Sequence, residues 1–124
     1  MSKLVTPHFA WHEFTDSDKA NELNISNIPG DYEKANIVYT ARILERVRDS
    51  FGHPIVINSG YRCKELNAHI PGASADSYHL DGRAVDISIS GMPSRNVAKL
   101  MELLSIYDPV EIYRKGDSYV HVAY

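Results

Sequence analysis

"SYHLDGRAVDISIS", residues 77–90, is the stretch whose reading decides the fold. Its second half, "AVDISIS" (84–90), has the composition of a strand, in which successive side chains point to opposite faces. Val85, Ile87 and Ile89 make one apolar face, and Ala84, Asp86 and Ser88 make the other. Asp86 is therefore expected to look away from the core. His79 stands in the loop ahead of the strand, where Gly82 lets the chain fold back tightly.

The end of the chain repeats the pattern. In "YVHVAY" (119–124), Val120 and Val122 face one way, and Tyr119, His121 and Ala123 face the other. If the two strands pair, Asp86 and His121 converge on one surface, with His79 at the same end. Two histidines and one carboxylate form the donor set of a catalytic zinc site that keeps a fourth position for water. The nitrogen-rich set suits Zn2+ better than magnesium or calcium. A His-x6-Asp pair also arises by chance, and a lone strand histidine is often structural, so spacing alone leaves both readings open.

Around these strands the elements read as follows. Thr15 and Asp16 offer N-cap side chains for a short helix over 16–22. "ISNIPGDY" (25–32) is a loop. "YEKANIVYTARILERVRDSFG" (32–52) is the clearest helix, with Ala35, Val38, Ile43 and Val47 at helical spacing and Gly52 as its stop. "HPIVINSGYR" (53–62) reads as a buried strand ending in a Ser-Gly turn, and "CKELNAHI" (63–70) as two helical turns. "MPSRNVAKLMELLSIY" (92–107) is a second amphipathic helix. "VEIYRKGDSYVHVAY" (110–124) is a hairpin turning at Lys-Gly-Asp. Without a regular βαβ rhythm, the class is α+β: a small antiparallel β-sheet with flanking helices.

The chain has 124 residues, enough for one core, so residues 1–124 are expected to form a single domain. Hydrophobic residues at 44% and charged residues at 23% are globular rather than disordered proportions. A net charge of −3 argues against a nucleic-acid partner held by a general basic field. Cys63 is the only cysteine, which excludes an internal disulfide. No run approaches the roughly 18 apolar residues of a membrane span, so membrane insertion is not expected. "MSKLVTPHFAWHEF" lacks the apolar stretch of a secretory signal. Synthesis in the cytoplasm is expected, with any action outside reached after lysis, by another export route or in a virion.

A series of motifs carries a resemblance: "INSGYR" (57–62), "LN" (66–67), "SYHLDGRAVDI" (77–87) and "YVHV" (119–122), together with the N-terminal "HFAWHEF". In these the chain resembles the zinc D-alanyl-D-alanine carboxypeptidases and the phage endolysin peptidases of the hedgehog/DD-peptidase fold, in their short phage or prophage form. The resemblance implies a Zn2+-dependent metallopeptidase acting on peptidoglycan stem peptides; a monomer is expected. It implies His79, Asp86 and His121 as metal ligands. Arg62 matches the arginine that holds a substrate carboxylate or polarises the scissile carbonyl, a task suited to a planar fork of donors. Tyr61 and Ser77, beside Arg62 and His79, are further substrate-binding candidates. The family's usual catalytic acid stands three residues before the last ligand, and here that position is Ser118. The base is then displaced to Asp117 or Glu111, or the domain binds wall peptides or serves a virion without cleaving.

Overall fold

The computed structural model describes residues 3–104, 111–116 and 118–124, without the side chains of residues 104, 111, 113 and 115. It is α+β, as expected. A four-stranded antiparallel sheet runs in the order β3-β4-β6-β5, from β3 (Val56–Ser59), β4 (Ala84–Ser88), β5 (Glu111–Lys115) and β6 (Tyr119–Ala123). A two-stranded ribbon of β1 (Leu4–Thr6) and β2 (Phe9–Ala10) lies at the N-terminus.

The long helix α3 (Asp31–Phe51) starts where Glu33 Oε1 accepts the Gly30 N–H at 3.0 Å and stops at Gly52, in the left-handed region at φ 68°. It buries Ile37, Thr40, Ala41, Ile43, Leu44 and Val47. Spacing had pointed to Ala35 and Val38. Ala35 is exposed and Val38 half-buried, because the contact stripe is rotated toward Ile37. That stripe joins Val85, Ile87, Val120 and Val122 of the sheet, and Val97 and Met101 of α5 (Ser94–Leu104), in one core. Complete burial of a side chain such as Leu44 or Ile87 contributes about 1.5–3 kcal/mol. The sheet face carrying these valines and isoleucines is thereby sealed, and the opposite face is left for the polar residues of the same strands.

The N-terminal segment departs from expectation in detail. Phe9 and Phe14 pack into the core. Trp11–Thr15 form a separate helical turn, α1, and the N-cap of α2 (Asp18–Leu23) is Ser17 rather than Thr15 or Asp16. The Ser17 hydroxyl accepts the Ala20 N–H at 3.1 Å, the reach that an N-cap serine is built for. Helix α4 (Lys64–Ala68) is shorter than the stretch 63–70, with Cys63 as its N-cap.

Candidate metal centre

Asp86 occupies the middle of β4, and both neighbouring strands address it. The β3 ladder pairs Ser59 with Asp86 across a register shift, and the β6 ladder pairs His121 with Asp86. Two paired residues in antiparallel strands share a face, so this one register brings the carboxylate and the imidazole together. His121 Nδ1 lies 2.9 Å from Asp86 Oδ1.

His79 reaches the same oxygen by a different route. Residues Tyr78–Asp81 form a 3-10 turn, begun by the Ser77 hydroxyl accepting the His79 N–H at 3.2 Å. Gly82 closes it at φ 75°, and a Cβ there would stand 2.6 Å from the Glu33 carbonyl oxygen. Both the left-handed backbone and the close approach to α3 thus require glycine. Thr40 Oγ1 donates to the Gly82 carbonyl at 2.9 Å, and Asn36 Nδ2 to that of Asp81 at 2.9 Å, so the turn is riveted to α3. The His79 ring is only 1% exposed.

The ring nitrogens of His79 have different partners. Nδ1 lies 2.6 Å from the Gly60 carbonyl, which can only accept, so Nδ1 carries the proton. Nε2 lies 3.4 Å from Asp86 Oδ1 without hydrogen-bond geometry, and it is buried with no hydrogen-bond partner. A buried polar atom of this kind calls for an explanation. The nitrogen and oxygen donors of His79, Asp86 and His121 all lie within 4.8 Å of one another. An imidazole whose outer N–H is held by a backbone carbonyl and whose inner nitrogen is bare is the usual arrangement of a metal-binding histidine. The residues fit a zinc ion in number, type and orientation.

Burial by itself raises the Asp86 carboxyl, but the His121 and His79 contacts outweigh it and hold it at about 2. The group is therefore an anion throughout the neutral range, as a ligand must be. Burial lowers the Arg62 guanidinium below its usual value, opposed by Asp86 and Tyr119.

These residues line a groove of about 650 Å³. Arg62 is its one lysine or arginine among the described residues, and its Nε is buried without a partner. Ser77 and Ser59 also line the groove. Tyr61 does not: its ring belongs to the apolar core, and burial raises its hydroxyl pKa. Ser118 is exposed and lies apart from the groove lining. Asp117 falls outside the described residues. Glu111 is placed by its backbone alone, which pairs with Ala123, while Tyr113 pairs with His121.

A family model described as peptidase M15 matches residues 7–123. The chain belongs to the peptidase M15 family. M15 peptidases are zinc-dependent, and the match runs from just before β2 through the long helix and all four strands of the main sheet. No curated protein matches the chain. Among the described residues of this M15 peptidase, no helix is long and apolar enough to cross a membrane.

Gly60 was legible in sequence only as part of a turn. A Cβ at this position would stand 2.5 Å from the Phe14 carbonyl oxygen and 2.8 Å from the Phe14 Cα, both backbone atoms that cannot swing aside. Gly60→Ala should therefore push the strand end away from α1 and draw its carbonyl off His79 Nδ1. We expect a loss of about 1–3 kcal/mol in stability, with weaker zinc binding. Denaturant titration and metal analysis check this; wild-type values in both would show that the contact with α1 is slack.

Proposed function

We propose that His79, Asp86 and His121 hold zinc, and that the protein hydrolyses a peptide bond in the stem or cross-link peptides of bacterial cell wall. It would act as a D-Ala-D-Ala carboxypeptidase or an L-Ala-D-Glu endopeptidase of the endolysin kind. The observation that carries the reading is the partnerless Nε2 of His79, aimed at Asp86 on the wall of an open groove. Membership of a zinc peptidase family supports it. The cell-wall substrate rests on the sequence resemblance.

When bound, zinc supplies a Lewis acid for the scissile carbonyl and makes a nucleophilic water available near neutral pH. The chain's own residues do the rest. The Gly60 carbonyl keeps the His79 proton on Nδ1, so that Nε2 presents its lone pair. Asp86 brings a negative charge that balances the ion. Arg62 presents its donors to an anionic substrate oxygen, the terminal carboxylate or the developing oxyanion. A carboxylate, Asp117 or Glu111, takes a proton from the attacking water and returns it to the leaving amine. Access to the wall would come after lysis, through another export route or in a virion.

Release of peptides from purified peptidoglycan, abolished by a chelator and restored by zinc, is the test. A second reading is favoured by Ser118: a domain that binds zinc and wall peptides without cutting them. Zinc-loaded protein that binds peptidoglycan and releases nothing would establish that reading instead.

Arg62→Lys separates charge from geometry. Lysine keeps the cation and loses the fork. We expect folding and zinc content to be retained and the barrier to rise by about 2–4 kcal/mol, as for loss of an oxyanion donor. Unchanged turnover would make Arg62 a structural residue.

A further inference from the structure

The segment carrying Arg62 is held from three sides, and one side chain outside the groove does much of the holding. Asn27 lies in the loop between α2 and α3. Its Nδ2 donates to the Tyr61 carbonyl at 2.9 Å and to the Thr15 carbonyl at 2.9 Å. Its Oδ1 accepts the Cys63 N–H at 2.7 Å. The amide's orientation is unambiguous, because the two carbonyls can only accept and the Cys63 N–H can only donate. Both amide protons are used. Thr15 is the last residue of α1, so the same side chain also ties Arg62's segment to that helix.

Tyr61 C=O and Cys63 N–H are the peptide groups on either side of Arg62. Asn27 thus brackets the arginine from behind, bonding residues 34 and 36 positions away. The remaining bonds complete a frame. Tyr61 N–H donates to Phe14 O at 2.6 Å, and Arg62 N–H donates to His79 O at 3.0 Å. Gly60 O receives His79 Nδ1. The backbone that bears Arg62 is therefore referenced both to the N-terminal helix and to the candidate ligand His79. The arginine side chain runs from this frame to the groove, where Asp86 and Tyr119 act on its charge.

We infer that Asn27 is a positioning residue: it fixes the backbone on both sides of Arg62 and so sets where the guanidinium meets the substrate. This rests on the zinc peptidase reading above for the meaning of Arg62, but the geometric part stands by itself. Arg62 is a long side chain with several rotors. Its reach is definite only if its Cα is fixed, and a displacement of about 1 Å at a catalytic group can cost on the order of 10²-fold in rate. Without the Asn27 amide, two peptide groups beside Arg62 lose their partners, and the segment is free to shift toward others. His79 keeps its own anchors at Ser77, Gly82 and Gly60, so the metal centre should survive.

The test is a mutant cycle with an independent structural readout, on the full chain loaded with zinc. Asn27→Ala, Arg62→Lys and the double variant are compared for kcat/KM on peptidoglycan peptides and for zinc content, and wild type and Asn27→Ala for exchange of the Arg62 Nε–H with water by NMR. The expected result is zinc near wild type in all three and a fall of about 10–10²-fold for Asn27→Ala alone. Asn27→Ala should cost less than about threefold further on the Arg62→Lys background, since residues acting as a unit are not additive. Exchange at the buried Arg62 Nε–H should speed up about tenfold or more in Asn27→Ala.

Equal costs on both backgrounds would overturn the inference, as would an unchanged Nε–H exchange rate. If wild type itself cleaves nothing, the peptidase reading fails, and the exchange rate alone decides the role of Asn27. Should Asn27→Ala not fold, Asn27→Gln serves in its place. It keeps every donor and acceptor but displaces them by one methylene, so a correctly folded Asn27→Gln with wild-type kcat/KM and exchange would also refute the assignment.

Discussion

His121→Ala is expected to yield a folded protein that holds no zinc and has no activity. Three donors are the minimum that a catalytic zinc site provides, and removing one leaves two at the edge of an open groove. His121 lies across from Asp86 in the β4–β6 register and is bonded to it at 2.9 Å. Its loss therefore also frees Asp86 from the stronger of its two histidine contacts. The ladder on either side is kept by Val120 and Val122, which are buried on the sealed face, so the sheet should persist. Asp86→Ala should remove metal as completely, and at a greater cost in stability, because it strands two imidazoles beside a vacated carboxylate site. Metal analysis of protein purified without added zinc, with circular dichroism for the fold, checks both variants. Full zinc occupancy in both would refute the ligand set.

The second large effect concerns the proton. Hydrolysis needs a carboxylate within hydrogen-bond reach of the attacking water, and Ser118 cannot supply one. Two acids remain near the last strand in sequence, Asp117 before it and Glu111 on β5. The β5–β6 register pairs Tyr113 with His121 and Glu111 with Ala123, which sets Glu111 two residues along β5 from the position opposite the candidate ligand His121. If Asp117 is the base, Asp117→Asn should lower kcat by on the order of 10²–10⁴ with zinc retained, and Glu111→Gln should be mild. If Glu111 is the base, the two variants exchange places. Wild-type turnover in both would exclude a carboxylate base at either position. Ser118→Asp and Ser118→Glu give the complementary measurement: a large gain in activity would show that this chain had lost its base and would favour the binding domain.

Part of the candidate metal centre could be read from local pattern. Period-2 alternation in "AVDISIS" and "YVHVAY" placed Asp86 and His121 on the polar side of their strands, because a strand offers only two faces and the apolar residues must take the inner one. Helix α3 was legible for the same kind of reason, though its buried stripe was not: Ala35 and Val38 fit the period as well as Ile37 does, and only packing against the sheet chose between them. The N-terminal ribbon and α1 left no periodic trace, since elements of two to five residues are too short to show one.

The sequence by itself determined the α+β class and the polar face of the sheet, since both follow from side-chain type and from periods of a few residues, and its motifs carried the resemblance that implies the three candidate ligands. Tertiary structure alone decided the pairing of Asp86 with His121, the bare Nε2 of His79 and the frame around Arg62. Those depend on hydrogen bonds that span 19 residues from His79 to Gly60 and 34 from Asn27 to Tyr61. A bond between a side chain and a distant carbonyl imposes no spacing on the chain between them, so it leaves no mark in the sequence until the fold brings the two ends together.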